Sequence, residues 1–153
     1  MSVVSKAEQF DEYLKTKEIP WFEKLEQNDD LKTVIYRGNL DAAGQRFPLM
    51  VIVDDSVFTM VRTVVLSGAI KEEYKTAFAK YLLKLNGDFK IFKYYQDEKD
   101  GHLYLDISVP SGPQHFDAEL ILYLIVEILL PHLEEFYPQI MEVAWGKTSP
   151  KQS

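Results

Sequence analysis

Three consecutive stretches rich in Val, Ile, Thr, Tyr and Phe constrain the fold of this chain more than any other feature. They span residues 32–41, 46–54 and 57–66, and these residue types favour β-strands. Only the turn segments Asp41–Gly44 and Asp54–Ser56 separate them. Because connections this short join antiparallel strands, the three stretches predict a meander of adjacent hairpins.

A first helix is predicted before the meander. Apolar residues recur at helical spacing over residues 4–17, and Ser2 or Ser5 is positioned to cap the N-terminus of this helix. Pro20 disfavours helical backbone at the residue before it, so the helix has to end by that point. Residues 23–30 are mostly charged or amide, and we expect them to connect the helix to the sheet at the surface.

A second helix and two further strands follow the meander. An apolar stripe over residues 70–86 predicts the helix, with Ser67 as its N-cap and Asn86-Gly87 as its C-terminal stop. Strands are predicted over residues 88–96 and 102–109, joined by a charged hairpin loop. Apolar and polar residues alternate in the second of these strands, which indicates that one of its faces is buried.

A long third helix is predicted from Asp117 to Met141, with Asp117 as its N-cap. Pro131 lacks a backbone donor and is expected to kink or divide this helix. The element order is therefore α-β-β-β-α-β-β-α, which predicts a two-layer α+β fold with an antiparallel five-stranded sheet. We expect one domain over residues 1–146 and a loose polar tail over residues 147–153.

Composition and charge argue against several classes of function. The 153-residue chain has no cysteine, a net charge of −7 and a pI of about 5.0. Nucleic-acid binding requires clustered cations, which this sequence lacks, so no nucleic-acid partner is expected. The most apolar stretch, Leu120–Leu133, is short and contains Glu127, so no membrane span is expected. Met1–Lys6 does not have the pattern of a signal peptide, and we expect a cytoplasmic protein.

The residues that could carry catalysis or bind a metal are scattered. His102, His115 and His132 have no partner at a metal-ligand spacing, and we expect all three at the surface. The acidic loop Asp97–Gly101 does not match a calcium-binding loop, because Ile107 stands where that pattern requires Glu. The sequence therefore predicts no catalytic site, no metal and no cofactor. An enzyme would need polar groups that only folding brings together.

The second and third strands of the meander are apolar on both of their sides. One face of the predicted sheet covers the helices, so apolar residues on the other face are expected to form a patch for protein interaction. This patch comprises Met50, Ile52, Phe58, Met60, Phe92, Tyr94 and Tyr104. The alternative is that a helix or the segment around Trp21-Phe22 covers these residues.

Two local features accompany this element order. The segment Tyr81–Asn86 closes the second helix, and an Asp100-Gly101 hairpin leads into an alternating strand. In these features the chain resembles the YbjN-like family, whose fold is similar to that of class I type III secretion chaperones. The resemblance covers residues 5–142. Secretion chaperones are acidic homodimers that hold extended segments of other proteins on apolar patches, whereas YbjN-like proteins are often described as sensory or regulatory.

The residue pattern and the resemblance together predict a non-enzymatic protein-binding module. We expect it to be chaperone- or adaptor-like and homodimeric, and to bind another protein or a peptide segment through the apolar face of its sheet. The alternative is a regulatory domain that senses a small ligand in a pocket between helix and sheet.

Overall fold

The predicted meander is present in a computed structural model of the protein, which describes residues 5–68 and 70–146. The alternative helix cap Ser2 and the expected tail over residues 147–153 lie outside the described residues. The strands are β1 (Glu23–Glu26), β2 (Val34–Ala42), β3 (Gln45–Val53), β4 (Phe58–Leu66), β5 (Lys93–Gln96) and β6 (Leu103–Pro110). The helices are α1 (Lys6–Thr16), α2 (Lys75–Asp88), α3 (Ala118–Tyr123) and α4 (Leu130–Ala144).

The sheet has six strands in the order β1-β2-β3-β4-β6-β5, and every neighbouring pair is antiparallel. An antiparallel sheet in an α+β fold is thereby confirmed. The prediction of five strands was wrong, because residues 23–30 contain β1. Only Leu25 of this strand is half-buried, so β1 has no apolar alternation that a sequence pattern could reveal. Backbone pairing with Val34–Arg37 of β2 holds it in the sheet.

The first two helices differ from their predicted bounds. Ser5 caps α1 as predicted, because its side chain accepts a hydrogen bond from the Glu8 N–H at 3.1 Å. Ser67 does not cap α2, because a 3₁₀ turn over Glu72–Tyr74 precedes the helix and no side chain caps either element. Gly87 does not stop α2 but lies within it. This extension of α2 is one reason why β5 is only four residues long.

The third predicted helix contains a π-helical segment. Asp117 caps α3 as predicted, by accepting a backbone hydrogen bond at 3.0 Å. A π-helix over Leu124–Leu129 then separates α3 from α4, and the N–H of Leu130 bonds to the carbonyl of Ile125. Pro131 follows in the first turn of α4, where it lacks the donor that a continuing α-helix would use. The helix therefore does not end at Pro131 but changes from π- to α-helical hydrogen bonding just before it.

The helices pack on one face of the sheet. Phe10 of α1 meets Tyr36 of β2 edge-on at 4.7 Å between ring centroids, and Tyr137 of α4 meets Phe47 of β3 at 4.9 Å. Leu105 of β6 is fully buried on the same face, and the hydrophobic core lies between this face and the helices. Within the described ranges, no helix has the length and apolar character needed to cross a membrane.

Candidate functional site

The second face of the sheet carries none of the described helices, and we call it the open face. Side chains alternate along each strand, so every second residue belongs to this face. The open face comprises Glu23, Leu25, Ile35, Arg37, Asn39, Asp41, Arg46, Pro48, Met50, Ile52, Phe58, Met60, Arg62, Val64, Lys93, Tyr95, Tyr104, Asp106, Ser108 and Pro110. Nearly all of these side chains are half-buried or exposed.

One row of side chains crosses all six strands of the open face, and we call it the charged row. Cross-strand register places its members in the order Glu23, Arg37, Met50, Arg62, Asp106, Lys93. The charges along the row are therefore negative, positive, neutral, positive, negative and positive. Within the described part of the chain, the first two and the last of these residues form no ion pair. Three charges of the row thus remain available to a partner.

An apolar row lies beside the charged row. Leu25, Ile35, Ile52 and Met60 are cross-strand neighbours on four successive strands. Each of them is half-buried by its neighbours in the sheet, and none has a described helix above it. Contact between apolar side chains and water is unfavourable in proportion to the exposed area. The apolar row therefore favours cover by another surface.

An ion pair occupies the middle of the open face. Arg62 donates two hydrogen bonds to the carboxylate of Asp106, at 2.8 and 3.0 Å, and this pairing raises the pKa of the guanidinium. Asp106 is only 1% exposed although it lies on the open face. The guanidinium also lies 4.4 Å from the ring centroid of Tyr104, which stacks on Tyr95. Arg and Tyr side chains are enriched at the centres of protein interfaces.

The structure places five of the seven residues of the predicted patch on the open face. They are Met50, Ile52, Phe58, Met60 and Tyr104. Phe92 and Tyr94 were predicted on the wrong side. Both are buried among the helices, because Tyr94 is the cross-strand neighbour of the core residue Leu105 and Phe92 precedes β5.

The segment around Trp21-Phe22 does not cover the open face. Phe22 packs against Phe10 and Tyr36 on the helix side of the sheet.

The charged members of the open face were missed by sequence reasoning. Arg62 interrupts an apolar strand, which is a visible signal, but only the register between strands joins it to other charges in a row.

Tyr94 and His132 form a buried pair on the helix side. The hydroxyl of Tyr94 shares a hydrogen bond with Nε2 of His132 at 2.5 Å, and the imidazole packs between the rings of Phe92 and Phe136. The prediction that this histidine lies at the surface was wrong, because α4 turns it into the core. Burial lowers the pKa of His132 to about 4 and raises the pKa of Tyr94. The pair joins β5 to α4.

Lys6 is a second buried polar group that the sequence did not reveal. Its Nζ donates hydrogen bonds to the carbonyls of Phe58 at 2.8 Å and of Ser56 and Ser111 at 2.9 Å. Burial lowers the pKa of Lys6, and two nearby aspartates oppose this shift. The ammonium ties α1 to the β3–β4 turn and to the end of β6. A lysine in the first turn of a helix gives no sequence signal for such a role.

The other residues considered as metal ligands, His102, His115 and the acidic loop Asp97–Gly101, do not form a common site. Among the residues that the structure describes, no three His, Asp or Glu side chains converge on a position that could hold a metal ion. His102 is half-buried beside Gly68, and His115 is exposed. In the acidic loop, Asp97 accepts a hydrogen bond from the N–H of Lys99 at 2.7 Å, which is a turn-forming contact.

A cleft of about 340 Å³ opens where β3 and β4 diverge beside α4. The start of β3, the end of β4 and the last turns of α4 form its walls. The side chains that characterise it are Arg46, Phe47, Ile70, Lys71, Tyr137 and Trp145. This volume lies within the range of about 300–1,000 Å³ that is typical of small-molecule sites.

Comparison with known proteins adds no functional assignment. No protein-family model, no curated protein and no solved structure matches this chain. The similarity to the YbjN-like family therefore stays a prediction, and function has to be inferred from the geometry of the open face and of the cleft.

Proposed function

We propose that this protein is a non-enzymatic protein-binding module that forms a homodimer through the open face of its sheet. The observation that carries the proposal is the order of charges in the charged row. When the row is set against a reversed copy of itself, every negative residue meets a positive one, and the uncharged Met50 meets Arg62. A second copy of the chain, turned round, therefore presents complementary charges to the open face.

The symmetry of the pairing can be stated at the level of residues. A two-fold axis parallel to the strands, between β3 and β4, reverses the row when two open faces stack. Glu23 then faces Lys93 of the second copy, and Arg37 faces Asp106 of the second copy, whose carboxylate is already paired with Arg62 of its own chain. In the apolar row the same operation brings Ile52 onto Met60 of the second copy. Opposite charges meet at the edges, and apolar side chains meet at the centre.

The size of the open face suits a dimer. The six strands are four to nine residues long, and each strand residue occupies about 3.4 Å along the strand and about 4.8 Å across the sheet. The face therefore measures roughly 700 Å². A typical specific interface covers about 800 Å² on each partner. The apolar row and the arginine at the centre match the usual composition of interface cores.

The finer parts of the proposal rest on the similarity to YbjN-like proteins and secretion chaperones. In that reading the fold is secretion-chaperone-like, and the dimer is chaperone- or adaptor-like and holds an extended segment of another protein. The short edge strand β1 pairs on one side only, and an extended segment binds a free strand edge through backbone hydrogen bonds. The outer edge of β5 is less open, because the side-chain amide of Asn86 bonds to the backbone N–H and carbonyl of Tyr94. The absence of cysteine and the acidity of the chain fit a cytoplasmic location.

The dimer is tested by a charge swap. Glu23→Lys alone and Lys93→Glu alone each place like charges opposite one another in the stacked faces. We expect each single variant to raise the dissociation constant of the dimer about tenfold, measured by light scattering across a dilution series. The double variant Glu23→Lys/Lys93→Glu restores the opposite charges, and we expect its dissociation constant to return to the wild-type value.

The design separates contacts between copies from contacts within one chain. Glu23 and Lys93 lie at opposite edges of one sheet, roughly 24 Å apart, well beyond the screening length of about 8 Å at physiological salt. Restoration in the double variant therefore has to arise between copies. Lys80→Glu, an exposed charge change on α2, is the control and is expected to leave dimerisation unchanged. A wild-type chain that stays monomeric, or a double variant as weak as the single ones, contradicts the proposed pairing.

A second candidate function is recognition of a small ligand. The cleft between β3, β4 and α4 favours it, because an opening of about 340 Å³ is lined by apolar and cationic side chains. Ligand binding there would stabilise the native state by mass action. A rise in the melting temperature that depends on ligand concentration, and that persists in a variant with no dimer, distinguishes this function from the first.

A further inference from the structure

The cleft exists because β3 and β4 stop pairing before either strand ends. Their register runs from Val53↔Thr59 to Leu49↔Thr63, yet β3 begins four residues earlier, at Gln45, and β4 continues to Leu66. No residue from Gln45 to Pro48 pairs with β4 in the described register. The two strand ends therefore leave a gap that runs to the end of the sheet.

Pro48 explains where the pairing stops. It has no N–H to donate to β4, and the side-chain hydroxyl of Thr63 donates to the Pro48 carbonyl at 2.7 Å. A shift in the register between β4 and β6 occurs between Val64 and Leu66, so β4 is irregular at the same level. The gap is thus built into the two strands, and the connection after β4 contributes Ser67, Gly68, Ile70 and Lys71 to the lining of the cleft.

Apolar side chains form about half of the lining of the cleft, beside polar ones such as Gln45 and Ser67. Phe47 and Ile70 are buried on its floor, and Tyr137 packs edge-on against Phe47 at 4.9 Å between ring centroids. Burial raises the pKa of Tyr137, which keeps its hydroxyl neutral. Trp145 is 64% exposed and lies at the mouth. An apolar chain that enters this cleft removes its own surface and part of the exposed Trp145 ring from water.

The charges at the rim are cationic. Arg46 and Lys71 line the cleft, and no Asp or Glu does among the described residues. Arg46 already pairs with Asp41 at 2.9 Å, whereas Lys71 forms no ion pair within the described part of the chain. In a protein with a net charge of −7, the rim of the cleft is locally cationic.

We propose that the cleft binds an amphipathic monocarboxylate, with its apolar body between the diverging strands and α4 and its carboxylate against Lys71. This inference deepens the second candidate function by naming the class of ligand. It does not depend on dimerisation, because Lys71 and Trp145 do not belong to the open face.

The test uses tryptophan fluorescence with a single reporter. The chain has two tryptophans, and Trp21→Phe leaves Trp145 at the mouth of the cleft as the only one. The Trp21→Phe protein is titrated with decanoate below its critical micelle concentration, and in parallel with decanol and decylammonium. We expect decanoate to change the emission of Trp145 saturably and to bind about tenfold more tightly than decanol, and decylammonium to bind more weakly than either.

The role of Lys71 is tested by Lys71→Gln in the same background. Loss of the Lys71 ammonium should lower the affinity for decanoate to that for decanol. The affinity for decanol should not change, because only the carboxylate interacts with the ammonium. Lys80→Gln, an exposed lysine on α2 outside the cleft, is the matched control and should change neither ligand. Equal binding of all three ligands, no response of Trp145, or no effect of Lys71→Gln each overturns the proposal. Repeating the titration in Met60→Lys, which places a charge in the apolar row of the open face and is expected to remain monomeric, separates its outcome from that of the dimer.

Discussion

The ammonium of Lys6 donates hydrogen bonds to three backbone carbonyls from two separate parts of the chain. Replacement of this side chain gives the first prediction. Lys6→Met keeps the length of the side chain but leaves one buried and two partly buried carbonyls without the donor that now lies 2.8–2.9 Å away. Each buried acceptor that loses its partner costs about 1–3 kcal/mol, so we expect a loss of roughly 3–5 kcal/mol in the free energy of unfolding. Urea denaturation measures this loss.

A second lysine provides the matched control. Lys24 pairs with Asp11 at 2.7 Å, but both side chains are more than a third exposed. Solvent-exposed ion pairs contribute about 0–1 kcal/mol, so Lys24→Met should lower the unfolding free energy by no more than that. Equal losses for the two variants would show that the hydrogen bonds from Lys6 to the carbonyls stabilise the fold no more than an exposed ion pair does.

His132 makes the stability of the protein dependent on pH. Its pKa in the folded chain is about 4 because of burial, whereas an unfolded histidine has a pKa of about 6.5. Between these values the unfolded chain binds more protons, so the free energy of unfolding falls as the pH falls from about 6.5 towards 4. The whole difference corresponds to roughly 3 kcal/mol, of which about 2 kcal/mol is lost by pH 5.

The comparison with His132→Gln isolates this contribution. Glutamine does not titrate. The carboxylates contribute equally to the pH dependence of stability in both proteins, so their contribution cancels in the difference. We expect the stability difference between wild type and His132→Gln to shrink by about 2 kcal/mol between pH 7 and pH 5, measured as urea midpoints. A difference that stays constant over this range means that His132 is not held neutral by the fold.

Local contacts could be predicted at the scale of residues, and distant ones could not. Ser5 and Asp117 cap their helices as predicted because a cap depends on a few neighbouring residues. His132 was misplaced because its burial depends on Tyr94, which lies 38 positions away along the chain. A single histidine in a helical pattern carries no signal for such a partner.

At the scale of elements, two glycines give opposite predictions for the same substitution. A Cβ on Gly38 of β2 would lie 2.7 Å from the carbonyl oxygen of Trp21, a backbone atom. Gly38→Ala therefore forces the connection between α1 and β1 away from β2, and we expect a loss of about 1–3 kcal/mol. Thermal and urea unfolding report this loss.

Gly87 is the counterpart within α2. A Cβ there meets no atom within 4 Å, and the residue has helical neighbours on both sides. Alanine restricts the unfolded chain and favours helix, so Gly87→Ala should raise the free energy of unfolding by about 0.5–1 kcal/mol. A loss of stability in Gly87→Ala would contradict the helical assignment of this residue.

Strong periodicity made the long elements predictable, and β1 shows where this fails. The strands of the meander and α4 combine local preference with an apolar face, so pattern and fold agree. β1 carries the sequence Glu-Lys-Leu-Glu and is held by backbone pairing with β2. An edge strand of this kind depends on a neighbour that has already formed, and no periodicity within its own four residues can indicate it.

For the whole molecule, the sequence predicted that one sheet face would be apolar without a cover, but it did not predict the charged row. The apolar patch follows from alternation within single strands. The row needs the register of all six strands, including β1, which local patterns did not reveal. The cleft likewise depends on where the pairing of β3 with β4 stops. Both candidate sites are properties of strand pairing.

A dimer through the open face links stability to protein concentration. When folded dimer unfolds to free chains, each tenfold rise in concentration adds about 1.4 kcal/mol per dimer to the apparent stability. We therefore expect the melting temperature of the wild type to rise by a few degrees for each tenfold increase in concentration. Met60→Lys places a charge in the apolar row, and the stem of the lysine still covers its neighbours in the sheet. Its melting temperature should be lower and independent of concentration.

Leu83→Lys supplies the control for this measurement. Leu83 is 73% exposed on α2, away from the open face. The substitution Leu83→Lys therefore removes more exposed apolar surface than Met60→Lys does. If the dimer forms through the open face, Leu83→Lys keeps the concentration dependence of the wild type. If any exposed apolar side chain drives association, Leu83→Lys loses it as well. A dependence lost only in Met60→Lys assigns the association to the row that contains Ile52 and Met60, because only there does a lysine meet the apolar centre of the second copy.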